Sequence, residues 1–146
     1  YIENMQRLTR KFETAKTLVP KPLLIPAAKP ARFGAIYYGS TSPAMQEALD
    51  VLAERGIHVN ALRVRGFPFR DEIADFVASH PWVFVIEQNR DAQLKTLLVN
   101  EAKVNASRLL PILHYDGTPI TARYIVEQIV QHAGARTVVP FRKAAS

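Results

Sequence analysis

"WVFVIEQNRDAQLKTLLVNEA", residues 82–102, is the stretch that decides the fold. Its first half, Trp82 to Ile86, is an unbroken apolar run of strand-forming residues. Its second half sets Leu94, Leu97, Leu98 and Glu101 in helical register. A strand that is apolar without alternation is expected where helices cover both faces, as in parallel sheets. Between the halves lies a polar knot of Glu87, Asn89 and Asp91. Asn89 suits a helix N-cap, and Asp91 in the first turn suits the helix dipole. Glu87, at the strand end, has no local role. A lone carboxylate there is a thin basis for catalysis, and it suits equally a charge partner in Arg63, Arg65 or a neighbouring subunit.

The same strand-to-helix change recurs on either side. "FGAIYYGS" (33–40) leads into "TSPAMQEALDVLAERG", where Ser42 is the expected N-cap, Pro43 the first helical residue and Gly56 the left-handed stop. "HVNALRVRG" (58–66) leads into "PFRDEIADFVASH". "RLLPILHYDG" (108–117) carries Pro111, which predicts an edge strand or bulge. It leads into "TPITARYIVEQIVQHAG", with Thr118 as expected cap and Gly134 as expected end. Four such units predict right-handed crossovers and an α/β three-layer sandwich with a mostly parallel sheet.

Ahead of these units, residues 2–18 have the spacing of an amphipathic helix, through Ile2, Met5, Leu8, Phe12 and Ala15. "VPKPLLIPAAKP" follows, and its prolines predict an extended strap. The organisation is therefore helix plus Pro-rich strap over 1–31, an α/β domain over 32–134, and a basic tail over 135–146. The chain opens at Tyr1 rather than Met and reads as part of a longer polypeptide.

Composition narrows the function. There is no cysteine, which excludes disulfides, a thiol nucleophile and an iron–sulfur cluster held by this chain's own thiolates. The net charge of +6 sits on the ends, with a surplus of four in 1–31 and three in 135–146, while 32–134 carries −1. A nucleic-acid binder concentrates basic charge on a folded face, so no nucleic-acid partner is expected. No apolar run approaches the ~20 residues that cross a bilayer, and no membrane partner is expected. A cytoplasmic setting fits. The four histidines are scattered, and neither a metal site nor a hydrolase motif is expected.

Two places remain as candidate sites. The "GSTSP" loop (39–43) matches no phosphate-loop motif, and a Gly turn with a capped helix accounts for all of it. With the 87–91 loop it could still form a small module for a nucleotide or coenzyme A at the ligand edge of the sheet. "RVRGFPF" offers Arg63 and Arg65 on one strand face, about 6.6 Å apart, followed by Phe67 and Phe69. Arg and aromatics are enriched at protein contacts, so a contact surface of Arg63, Arg65, Phe67, Phe69 and Glu87 competes evenly with a plain solvated face.

"GSTSPAMQEALDVLAERG", "RVRGFPF", "VFVIEQNRDAQLKTLLVNE" and "LLPILHYDGTPITARYIVEQI" together resemble one family. It is the C-terminal portion of the alpha subunit of 2-oxoacid:ferredoxin oxidoreductases, most closely the 2-oxoglutarate type. The likeness covers about residues 1–132, and "EQNRDAQL" with "HYDGTPITAR" is its most specific part. The resemblance implies a fold like the transketolase C-terminal domain. It implies a parent enzyme that oxidatively decarboxylates 2-oxoglutarate to an acyl-coenzyme A and reduces ferredoxin. In that family thiamine diphosphate sits between the preceding alpha domain and the beta subunit, and the iron–sulfur cluster is held by beta. Neither region is here, so the resemblance implies no catalytic residue and no cofactor in this chain. It implies an assembly domain instead, with the preceding alpha domain and the beta subunit as partners and ferredoxin reached through the whole complex.

Overall fold

The computed structural model describes residues 1–137; most of the expected basic tail, 138–146, lies outside the described residues. The first helix, α1 (Ile2–Leu18), is followed by β1 (Leu23–Ile25), β2 (Phe33–Tyr38), α2 (Ser42–Glu54), β3 (Val59–Val64) and α3 (Asp71–Ala78). Then come β4 (Trp82–Glu87), α4 (Gln93–Glu101), β5 (Leu109–Leu113) and α5 (Ala122–Thr137). Short 3-10 turns at Gly39–Thr41 and Ala106–Arg108 precede α2 and β5.

The five strands lie in the order β1-β3-β2-β4-β5, and β3, β2, β4 and β5 are mutually parallel. β4 is buried at five of its six positions, as its continuous apolar run predicts. Its side chains alternate between two cores. Phe84 and Ile86 join Ala35, Tyr37 and Ile112 beneath Met45 and Leu52 of α2 and Ile125 and Ile129 of α5. Val83 and Val85 join Ile36 and Leu62 against Ile73 and Phe76 of α3 and Leu94 and Leu98 of α4. Helix, sheet and helix form the three layers expected of the α/β class.

Three boundaries differ from the sequence expectation. The strap is not featureless: Leu23–Ile25 pairs antiparallel with β3 and forms one rim of the sheet. Its three residues sit between Pro22 and Pro26, too short a run to show strand periodicity. Ser42 is the first residue of α2 rather than its cap, because Gly39–Thr41 already turns as a 3-10 helix and no side chain caps α2. Gly134 lies inside α5 rather than ending it. Pro43 does occupy the first turn of α2, Gly56 has φ 76°, and Pro111 does mark a rim strand.

Candidate functional site

In an open α/β sheet, ligands collect beyond the strand carboxyl ends where the strand order reverses. Here that point lies between β2 and β4, flanked by the loops after Tyr38 and Glu87. The chain's own side chains close it.

Glu87 is fully buried. Its Oε2 accepts from the Leu94 amide at 2.6 Å and from Asn89 Nδ2 at 2.9 Å, and its Oε1 accepts from the Lys95 amide at 3.0 Å. Leu94 and Lys95 are the second and third residues of α4, whose amides have no acceptor within the helix. The residue in the capping position is Ala92, which has no side-chain acceptor and takes a left-handed φ of 51°. The carboxylate of Glu87 thus caps α4 from the end of the neighbouring strand, where the helix dipole favours negative charge. Its partner is not in another domain or subunit. This corrects its placement on the contact surface, since no part of it reaches solvent.

Asn89 and Asp91 also change role. α4 begins at Gln93, and Asn89 Oδ1 accepts from the Asp91 and Gln93 amides at 3.0 and 3.3 Å, folding the turn ahead of the helix. Asp91 lies before the first helical turn and pairs with exposed Arg90 at 2.7 Å. Gln88, a residue to which the sequence attaches no role, spans the switch point. Its Nε2 donates to Ser40 Oγ at 3.1 Å and Thr41 Oγ1 at 3.2 Å, and its Oε1 accepts from the Ile120 amide at 3.3 Å. One side chain therefore ties the ends of β2 and β4 to the loop after β5.

That loop has its own order. Thr118 is not the cap of α5. Its amide and hydroxyl donate to Asp116 Oδ1 at 2.8 and 2.7 Å, and together they hold the Asp116 carboxyl below the usual range. The cap is Thr121, whose Oγ1 accepts from the Tyr124 amide at 3.2 Å. The buried His114 donates Nε2–H to the Thr118 carbonyl at 3.0 Å. Tyr37 is completely buried near the same edge, and its hydroxyl makes no hydrogen bond among the described residues. Burial raises its pKa; nearby Ser42 and Arg63 offset part of this without Ser42 reaching hydrogen-bond geometry. A ligand has no path to it.

The Arg–Phe surface separates into two parts. Arg63 is half-buried in β3, while Arg65 lies past the strand end and is exposed. Phe67 is 48% exposed, but Phe69 is only 7% exposed and packs in the core with Ile73 and Leu94. Phe69 therefore serves mainly the core, and only its edge lines the cleft beside Phe67. A cleft of about 420 Å³ opens beside Phe67, lined also by Tyr38, Arg65, Gln93 and Leu97. No cluster of three potential metal ligands occurs among the described residues.

No family model matches the chain, and no curated protein matches it. Solved structures do. The 2-oxoglutarate:ferredoxin oxidoreductase from Magnetococcus marinus, with 2-oxoglutarate, coenzyme A and succinyl-CoA bound, matches over 82% of this chain with a TM-score of 0.72 and 23% identity. The chain spans about a fifth (21%) of that chain's length. The alpha chain of a probable 2-oxoacid ferredoxin oxidoreductase from Thermoplasma acidophilum matches over 78% of this chain and 97% of its own, with a TM-score of 0.53 and 25% identity. A transketolase from Pichia stipitis matches over 90% of this chain and 21% of its own, with a TM-score of 0.57 and 13% identity. The chain thus has the transketolase C-terminal-like fold, in a form that it shares with 2-oxoacid:ferredoxin oxidoreductase chains.

Proposed function

We propose that this chain is the non-catalytic assembly domain of the alpha subunit of a thiamine-diphosphate-dependent 2-oxoacid:ferredoxin oxidoreductase. The observation that carries the reading is the closure of the ligand edge by Glu87 and Gln88. Each is held by backbone, hydroxyl or side-chain amide groups of its own domain, which leaves neither side chain to act on a substrate. The parent enzyme oxidatively decarboxylates a 2-oxoacid, 2-oxoglutarate by the resemblance, to an acyl-coenzyme A and passes electrons to ferredoxin. Thiamine diphosphate, the iron–sulfur cluster and coenzyme A then belong to sites that other domains and the beta subunit complete. The described part of the chain has no helix long and apolar enough to cross a membrane, and the cytoplasmic setting is that of the proposed parent enzyme.

The isolated chain is expected to fold yet to give no heat of thiamine diphosphate binding and no turnover of 2-oxoglutarate. Tight binding of the cofactor in calorimetry would overturn the reading. The competing module for a nucleotide or coenzyme A at 39–42 and 87–91 meets the Gln88 bridge across those two loops. A ligand at a hundred times its dissociation constant adds about 2.7 kcal/mol of stability. A thermal-shift screen is therefore expected to stay silent, and a clear shift with either ligand class would favour the module.

A further inference from the structure

Residues 26–31 join β1 to β2 and lie in no strand or helix. Pro26, Ala27 and Ala28 form one wall of a cleft of about 600 Å³, facing Leu49 and Asp50 of α2 and His58. The Ala27 amide ties this segment to the sheet by donating to Asn60 Oδ1 of β3 at 2.9 Å.

That bond begins a directed series. With Oδ1 held as the acceptor for Ala27, Asn60 Nδ2 faces His80 Nε2 at 2.9 Å and donates to its lone pair. On the other side of the ring, Nδ1 lies 2.7 Å from the Phe76 carbonyl and 3.1 Å from Ser79 Oγ. The Ser79 hydroxyl spends its own proton on the same carbonyl at 2.9 Å, so both oxygens accept from Nδ1–H. The series therefore requires an uncharged ring with its proton on Nδ1. His80 is buried, its ring centroid 4.5 Å from that of Phe76 and packed over Gly34, which leaves it little room to turn aside.

A charged imidazole carries hydrogen on both nitrogens. Nε2–H would then oppose the N–H of Asn60. Turning the Asn60 amide over gives the ring an acceptor, but it takes Oδ1 away from Ala27 and sets one N–H against another. Either way one bond of the series is lost. The closed arrangement holds one proton fewer than the open one, so closure weakens as pH falls.

We propose that His80 is a proton-operated latch, and that charging its ring releases residues 26–31 from β3. Leu23–Ile25 keep their ladder with β3, so the release is confined to the segment that walls the cleft. The charged surroundings agree. The ring's hydrogen-bond partners include no carboxylate. Arg108 donates to the His80 carbonyl at 3.0 Å and places a cation beside it. Glu72, Asp75 and Lys21 line an open cleft beyond Phe76 and Ser79, where solvent screens them. Arg32 and His58 line the cleft toward α5. Every group of the latch belongs to this chain, so the inference stands apart from the assembly reading.

The test is NMR of the isotope-labelled full chain from about pH 8 to about pH 5, the span in which an ordinary histidine charges. At the upper end the ring nitrogens should report the Nδ1–H tautomer. As pH falls, the Ala27 amide signal should titrate together with the ring. Its exchange protection, corrected for the intrinsic rate, should drop at least about ten-fold, while Ile36 and Val85 in the core keep theirs. Asn60→Asp supplies a carboxylate that accepts from the Ala27 amide and from Nε2–H at once, and it should preserve Ala27 protection at the acid end. An Nε2–H tautomer at the upper end, a ring that stays uncharged throughout, or steady Ala27 protection while the ring charges overturns the proposal. So does simultaneous loss at Ile36 and Val85, which is global unfolding, or an equal loss at Ala27 in a folded Asn60→Asp variant. If that variant does not fold, the titration of the parent chain decides alone. None of these readouts involves thiamine diphosphate or a partner chain, so failure here leaves the assembly reading untouched.

Discussion

A glutamate with no measurable exposure at the end of a central strand is costly unless every oxygen is met. Glu87 meets that condition with two backbone amides and one side-chain amide. Glu87→Ala strands the amides of Leu94 and Lys95 near the core. We expect it to lower stability by about 2–4 kcal/mol in urea unfolding, since each buried orphan costs about 1–3 kcal/mol. Glu87→Gln keeps one acceptor oxygen and should lose about half as much. A loss below 0.5 kcal/mol for the alanine variant, the scale of a surface change, would show that the cap contributes nothing to folding. The residue types of this junction were plain in the sequence, but their roles were not. Asn89 is in sequence the nearer cap, yet Ala92 in the left-handed region delays the helix to Gln93 and moves its open amides within reach of Glu87. A capping contact that spans seven and eight residues between two elements leaves no periodic trace. Gln88 bridges three loops that are distant in sequence, and so it left none either.

Among the elements, the strands and helices from Phe33 onward were legible because each buries a face with a clear period. β1 was not, because three residues between prolines carry no period. Besides its ladder with β3, the strap is held by a polar chain that runs from the residue after Pro26 through β3 to α3. The Ala27 amide donates to Asn60 Oδ1 at 2.9 Å, Asn60 Nδ2 donates to His80 Nε2 at 2.9 Å, and His80 Nδ1 donates to the Phe76 carbonyl at 2.7 Å. Those roles set the His80 tautomer, because a carbonyl only accepts. The arrangement requires Gly34, where a Cβ would lie 2.8 Å from Phe76 Cε1 and 3.2 Å from His80 Cγ. Gly34→Ala should therefore destabilise the domain by about 1–3 kcal/mol in thermal unfolding, the range for overpacking. Adding Phe76→Leu removes the ring and should make the pair less than additive. Strict additivity would mean that the clash is absorbed elsewhere.

For the molecule as a whole, the two phenylalanines of "RVRGFPF" separate folding from assembly. Phe69→Ser opens the core between β3, α3 and α4 and should cost about 3–5 kcal/mol. Phe67→Ser with Arg65→Glu removes exposed groups only, so the melting temperature should stay near that of the parent chain. Co-purification with the rest of the proposed complex should weaken for that double variant, and unchanged co-purification would remove the Phe67 cleft from the assembly surface. The two rims of the sheet carry a further consequence. One is β1, three residues held between Pro22 and Pro26; the other is β5, interrupted by Pro111. Proline has no amide to offer an incoming strand, and a short edge gives it little length to register on. Among the described residues, both rims thus offer an incoming strand little to pair with, which works against sideways growth into fibrils or swapped strands.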